Sequence, residues 1–503
     1  MKNNVGNTSE VGWSSFVIRP YKSIIYIIVG LMFTACTPRI INNSENFVAT
    51  KRLGEATTYT FANWAGKDHR PELAPDLIIV TLSGGGIRAA ALAASTLNEL
   101  GKFSINGRPL TSNIILISST SGGSIAAGYI AAHGFDQYAR FRKDFLEKNN
   151  NIRLLGSGLG PRLFYDRSAV LQDFLEKEFS LDGMTFDQLL SKDGAPFFVF
   201  NATDISGGRA FKFTQRDFDL ICTDLGRLPI SSGVTASSAL PFVLTDIEFK
   251  NHWDKCGLHG YRKFSDGVFV WANDVAEARY KDQFIHAFDD GGNDVPGRRP
   301  QYLHLSDGGL ADNLGARAIS DLVDIDDFGT IADEINPKSN GPAIRQVLIL
   351  EVNARSDAGQ PKLDASSGSP GVVSMAGIVT GIPIDSTTSL SSFMSDVAWA
   401  SSVSGRPYVN DGMIIKTQID FDLIPDSEGS LRHDVKSIGM GLSLTSTQLD
   451  DLERASRTLL RSNPCFARFV SQSGATAPGY TLPAIGTTGF PFGCMKLTEY
   501  GAW

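Results

Sequence analysis

The feature that most constrains this chain is a pair of short, unbroken apolar runs, each ending in a turn of very small residues. Leu77-Ile78-Ile79-Val80-Thr81-Leu82 leads into Ser83-Gly84-Gly85-Gly86, and Ile114-Ile115-Leu116-Ile117 leads on to Ser119-Thr120-Ser121-Gly122-Gly123. Continuous β-branched runs of this length mark strands buried on both faces. After each turn the composition becomes helical, with Ala and Leu from Ile87 to Leu100 and small residues from Gly122 to Ala132. Strand, turn and helix, twice in succession, predict a mostly parallel sheet covered on both faces. Further strands read at Phe197 to Phe200, Tyr302 to Leu305 and Val347 to Leu350, with helices from Tyr138 to Lys148 and Ala169 to Phe179 between them. A last helix runs from Thr447 to Arg461, with Leu449, Leu452, Ala455 and Leu459 on one face and Asn463-Pro464 as its stop.

At 503 residues, 42% hydrophobic and 20% charged, the chain can bury a large core or two closely joined ones. A net charge of -8 without a long basic block lacks the footprint that binds nucleic-acid phosphates. From Ser356 to about Ser404 the composition shifts to Ser, Gly, Pro and Asp, which reads as a loop-rich region over the body and not a new core. The Gly- and aromatic-rich end from Gly479 to Trp503 carries no assignable role.

The N-terminus differs. Lys22 precedes an apolar stretch from Ile24 to Phe33 that ends in Thr34-Ala35-Cys36, the anatomy of a secretory signal too short to span a bilayer comfortably. Phe33-Thr34-Ala35-Cys36 resembles a bacterial lipobox, which implies a signal peptide over residues 1–35 and lipid on Cys36. Thr37 follows in place of Asp, and by resemblance to Gram-negative lipoproteins this implies an envelope location at the outer membrane. Residues 36–75 are polar and mixed and suit a tether, with order expected to begin near Asp76. Apart from Cys36 the cysteines are Cys222, Cys256, Cys465 and Cys494, an even number for an oxidising compartment. Proximity in sequence favours Cys222 with Cys256 and Cys465 with Cys494, one of three possible pairings.

Ser121 lies where a buried strand turns into a small-residue helix, the setting of a nucleophile elbow, and the helix N-terminus behind it points free N–H groups at an arriving anion. The usual elbow reads Gly-x-Ser-x-Gly, and here Ser119 stands in place of the first glycine. The turn Gly84-Gly85-Gly86 should stand at the same carboxyl edge of the sheet, where its amides with that of Gly122 could hold an oxyanion, and Arg88 could orient that loop. Its consecutive glycines fit neither the dinucleotide fingerprint nor the Gly-Lys-Ser/Thr ending of a phosphate loop. Ser306-Asp307-Gly308-Gly309 closes a third strand, so Asp307 is a candidate base for Ser121. No calcium or zinc loop is evident, and no cofactor is required.

These three motifs, in this order, resemble the patatin-like phospholipase family. Asn201-Ala202-Thr203-Asp204 with Gly207-Gly208 and Ala236-Ser237-Ser238-Ala239-Leu240-Pro241 extend the resemblance, which spans roughly Asp76 to Asn353. It implies a three-layer α/β/α sandwich over residues 76–355, with 251–300 as an insertion and 356–503 as a C-terminal elaboration packed on the catalytic domain. It also implies a Ser121–Asp307 dyad without histidine, acting on esters of lipids in contact with a membrane surface. Asp266 in the insertion is a rival acid, and His433 would complete the chain order of a Ser-Asp-His triad. The competing functions are an esterase or thioesterase for soluble substrates and a catalytically silent envelope lipoprotein that binds lipid or a protein partner.

Overall fold

The computed structural model describes residues 39–49, 58–65, 75–157, 166–241, 243–252, 255, 295, 300–319, 345–356, 388, 390–393, 395, 414–483 and 495–496. Residues 1–35, Cys36, Cys256, Asp266 and Cys494 lie outside the described residues, as do most of 251–300 and of 356–404.

Nine strands of the described residues form one sheet: β1 Asp76–Leu82, β2 Ile114–Thr120, β3 Phe197–Asp204, β4 Arg209–Lys212, β5 Ile247–Lys250, β6 Tyr302–Asp307, β7 Gln346–Asn353, β8 Ile414–Asp420 and β9 Met495–Lys496. Their order is β9-β8-β7-β1-β2-β3-β6-β5, with β4 also paired to β3. The five strands from β8 to β3 are parallel, and antiparallel strands finish the sheet at both ends. Every residue of β1, β2 and β7 is buried, which is why their sequences read as apolar runs without alternation. The mostly parallel sheet with helices on both faces is the expected α/β/α fold.

The helices that matter for the site are α1 Gly86–Leu100, α2 Gly122–His133, α3 Arg167–Glu178, α4 Ile230–Ser237, α5 Gly309–Asp312, α6 Leu431–Lys436, α7 Ser446–Ser462 and α8 Pro464–Ser473. The two helices that follow the glycine and serine turns, α1 and α2, begin at Gly86 and Gly122. The stretch from Tyr138 to Lys148 is less regular than expected, with one α-helical turn at Tyr138–Phe141 passing into a π-helical turn at Arg142–Leu146.

Three departures from the sequence expectations concern connectivity. Order does not wait for Asp76. Within the segment read as a tether, Tyr59 is 1% exposed, stacks on Phe197 and donates its hydroxyl to Phe198 O at 2.9 Å, and Trp64 donates its indole N–H to Ala195 O at 2.9 Å. Residues 39–49 are also docked: Asn42 is fully buried and exchanges hydrogen bonds with the backbone of Lys250, while Ala49 N–H donates to Cys222 O. Two aromatic anchors in the one stretch and a buried asparagine in the other hold them in place, and anchors that sparse leave no periodic signal.

Second, the sheet runs across residue 355. β8 pairs with β7 from Ile414↔Val347 to Asp420↔Asn353, and α7 packs on α1, with Leu449, Leu452, Leu459 and Leu460 in the same hydrophobic core as β1. Burying each such leucine contributes about 1.5–3 kcal/mol, so this C-terminal segment is part of what holds the sheet together. Third, Asn463-Pro464 both stops α7 and starts α8: Asn463 Oδ1 accepts from the amides of Cys465 and Phe466, and proline at the first helical position lacks only an N–H that would be unpaired anyway. Cys222 and Cys465 are each in a disulfide.

Candidate active site

Ser121 caps the N-terminus of α2 with φ 51° and ψ -120°, a conformation that side chains rarely adopt. The turn is forced by what surrounds it. A Cβ on Gly122 would stand 1.9 Å from Gly86 O, and one on Gly123 would stand 2.4 Å from Leu82 O, so only glycine lets this turn nest against the neighbouring one. Ser119 fits where glycine is usual because its hydroxyl is used: it accepts from Ser124 Oγ at 3.0 Å and donates to Val199 O at 3.3 Å, fully buried. The first glycine of the usual elbow is thus replaced without displacing the turn.

Asp307 meets Ser121 by an unexpected route. A parallel strand would have brought its carboxyl end to this edge, but β6 is antiparallel to β3. The two side chains meet because β3 outruns β2. β2 pairs with β3 only as far as Thr120↔Asn201, and β6 pairs with the overhang alone, Asp307 opposite Ala202 and Leu305 opposite Asp204. β6 therefore descends toward the edge and ends at the level of the elbow. There Ser121 Oγ donates to Asp307 Oδ2 at 2.7 Å, and Gly309 N–H donates to Asp307 Oδ1 at 2.8 Å. The carboxyl is 4% exposed, and burial pushes it up to about 6 against the downward pull of those two hydrogen bonds. At neutral pH it is ionised yet more basic than a surface carboxylate.

The glycine turn lies against the elbow. The amides of Gly85, Gly86 and Gly122 donate to no acceptor among the described residues, and they open the helices α1 and α2 at this edge. Gly84 is a correction to the sequence reading: its N–H donates to Asn313 O at 3.0 Å and is not free for an oxyanion. It serves by its size, since a Cβ there would meet Asn313 Oδ1 at 2.4 Å and Ser121 Cβ at 3.2 Å. Gly86, at φ 62°, is covered by Gly441, whose carbonyl accepts from Ile87 N–H at 2.9 Å.

Arg88 is buried behind this loop. Its Nε donates to Ala354 O at 3.0 Å and its Nη1 to Ile438 O, so it ties the glycine turn to the segments after β7 and α6. Burial lowers its pKa to about 10, which leaves it charged at neutral pH.

His433 is exposed on α6, and Ser121 donates directly to the carboxylate without an imidazole between them. His304 lies on β6 and bonds Asp246 through Nδ1 at 2.6 Å. Groups of three or more His, Cys, Asp or Glu that could hold a metal are absent among the described residues. Sequence reasoning quoted Ser237, Ser238, Asn201 and Thr203 within motifs but gave them no task. Each bonds the backbone beside Ser121 or Asp307: Asn201 Nδ2 donates to Ser119 O at 2.9 Å and Thr203 Oγ1 to Asp307 O at 2.8 Å. The signal was there in Asn201-Ala202-Thr203, whose polar residues interrupt an otherwise apolar strand.

The sheet thus holds a serine at a strained strand-to-helix turn, bonded to a buried aspartate beside backbone amides that have no acceptor among the described residues, a geometry suited to acyl transfer. The family model for patatin-like phospholipase matches residues 80–319, and the chain carries a domain of that family. The family is one of lipid acyl hydrolases. No curated protein matches the sequence. Among solved structures, VipD from Legionella pneumophila is similar over 80% of this chain and 67% of its own, at 10% identity and a TM-score of 0.28.

Proposed function

We propose that the protein is a serine acyl hydrolase that cleaves carboxylic esters of lipids, in the manner of a phospholipase A or lysophospholipase, with Ser121 as nucleophile and Asp307 as base. The observation that carries this reading is the direct 2.7 Å hydrogen bond from Ser121 Oγ to a buried carboxylate. In the reaction Asp307 takes the Ser121 proton as Oγ attacks the ester carbonyl. The amides of Gly85, Gly86 and Gly122 hold the oxyanion, the alcohol leaves with the proton from Asp307, and water attacks the acyl-serine by the same path. The chain's own residues supply every proton transfer, so the reading needs no cofactor. The proposal includes lipid on Cys36, which would place the enzyme at the membrane surface of a bacterial envelope, on the outer membrane.

Fluorophosphonate labelling with peptide mapping tests it. Label should appear on Ser121, survive His433→Ala and be lost in folded Asp307→Asn, and phospholipid should then be hydrolysed. A folded protein that never labels would overturn the dyad and favour a lipid-binding lipoprotein without catalysis.

A further inference from the structure

One short stretch of chain, Ser237 to Ala239 at the end of α4, touches the backbone on both sides of the Ser121–Asp307 pair. On the nucleophile side, Ser121 N–H donates to Ser237 Oγ at 2.9 Å and to Ser237 O at 3.1 Å, and Ser238 Oγ donates to Ser121 O at 3.1 Å. On the acid side, Asp307 N–H donates to Ala239 O at 2.9 Å, Gly308 N–H to Ser237 O at 3.2 Å, and Ser306 Oγ to Ala239 O at 2.7 Å. Both the amide and the carbonyl of the residue with the unfavourable φ are therefore fixed from one place. A backbone in such a conformation persists only where its surroundings over-determine it.

The hydroxyl of Ser237 is itself fixed. It donates to Asn201 O at 2.5 Å and lies 2.8 Å from Ser124 Oγ, which in turn donates to Ser119 Oγ. Ser119, Ser124 and Ser237 are fully buried, so this hydroxyl chain is shielded from competing water. Its far end is the serine that replaces the usual glycine of the elbow. The replacement thus reaches, through two hydroxyls, the group that accepts the nucleophile's amide.

We propose that Ser237 is the positioning residue of the Ser121–Asp307 pair: through its carbonyl and hydroxyl it sets the distance between the two, and Ser119 and Ser124 hold that hydroxyl in place. This rests on the acyl hydrolase reading above, in which the distance governs proton transfer from Ser121. Ser237 touches neither substrate nor reacting atoms, so its effect should fall on the proton-transfer step and leave ester binding alone.

The test is steady-state hydrolysis of a p-nitrophenyl ester by the purified full chain and its Ser237→Ala variant, from pH 4.5 to 9, with thermal melting as a check on folding. The expected result is a fall in kcat of about tenfold or more with KM within about twofold. The acid limb should also move to higher pH, because the hydrogen bond from Ser121 that favours the ionised Asp307 is loosened. Ser238→Ala, which removes the contact to Ser121 O from a position 9% exposed, should act in the same direction more weakly and serves if Ser237→Ala does not fold. An unchanged kcat and acid limb in a folded variant would overturn the proposal, as would a loss confined to KM or to melting temperature. If the parent chain hydrolyses no ester, the acyl hydrolase reading fails separately. The positioning claim is then read from the infrared titration of the Asp307 carboxyl, blanked with Asp307→Asn, and an identical titration in parent and Ser237→Ala would overturn it.

Discussion

Two strand-to-helix turns stand side by side at the same sheet edge, and they place their strain on different residues. In the turn after β1 the positive φ angles fall on Gly85 and Gly86, which have no side chain to object, and the product is a set of amides that donate to no acceptor among the described residues. In the turn after β2 the positive φ falls on Ser121 itself, and the product is a half-buried hydroxyl aimed at Asp307. The first turn needs only small residues. The second needs a side chain in a place where side chains are disfavoured, so it is held by Ser237, which accepts from its N–H, and by Ser238, which donates to its carbonyl. Backbone chemistry at an edge can be had from composition alone, whereas side-chain chemistry requires a partner elsewhere in the chain.

That contrast can be broken experimentally, and the largest effect belongs to the side-chain turn. Asp307→Asn should lower kcat about 10²- to 10⁴-fold, the usual contribution of a positioned general base, measured with a chromogenic ester. The same variant should melt at a higher temperature at neutral pH. Its carboxyl is raised to about 6 in the folded state from an ordinary 3.8, so the native state holds the proton more tightly than the unfolded one. Stability from this group is therefore greatest below about pH 4, falls as pH rises toward 6 and stays low above it, a loss on the order of 2–3 kcal/mol that asparagine avoids. Paired melts of parent and variant at pH 4 and pH 8 would show it as a gap present only at the higher pH.

The glycine turn should respond next. Gly86→Ala places a methyl 2.8 Å from Gly441 O at a φ of 62° and moves an oxyanion donor, so kcat should fall about 10²-fold while the variant loses about 1–2 kcal/mol of stability. A loss of stability with undiminished kcat would remove the Gly86 amide from the reaction. Smaller still is the pH dependence of the parent: kcat should rise with pH to a plateau and be half-maximal near the Asp307 value of about 6. The smallest effect is expected for Ser119→Gly, which removes the far end of the hydroxyl chain. A fall in kcat of about twofold to fivefold, with KM unchanged, would distinguish a used serine from a tolerated one, at a cost of about one hydrogen bond.

What could be read in the sequence follows the same division. β1, β2 and the turns behind them were legible because burial on both faces writes itself as an apolar run and close backbone approach writes itself as glycine. β8 was not, because Lys416, Gln418 and Asp420 interrupt its apolar residues, and the buried Lys416 pairs with Glu351 on the adjacent strand and donates to Ser392. The identity of Asp307 was legible in Asp-Gly-Gly, but the direction of β6 was not: strand direction depends on the route of the connection from β5, and residue composition does not encode it. Arg88 announced itself as a charge at a helix start, while its acceptors, Ala354 O and Ile438 O, are backbone atoms that no motif marks. Gly84 was grouped with its neighbours because three consecutive glycines look alike, and the carbonyl of Asn313 separates the one that is engaged from the two whose amides have no acceptor among the described residues.

The docking of residues 39–49 changes what a membrane attachment at Cys36 would mean. Thr37 and Pro38 alone separate Cys36 from Arg39, and three residue steps reach at most about 11 Å. Ile41 N–H already donates to Glu248 O on β5, and Asn42 is locked to Lys250 at the end of that strand. An acylated Cys36 would then act as a mooring and not a leash, fixing the β5 border of the sheet beside the bilayer and restricting the tumbling of the whole body. The enzyme would sample the lipids under it by lateral diffusion in the membrane plane, and its access to ester bonds would depend on orientation more than on reach.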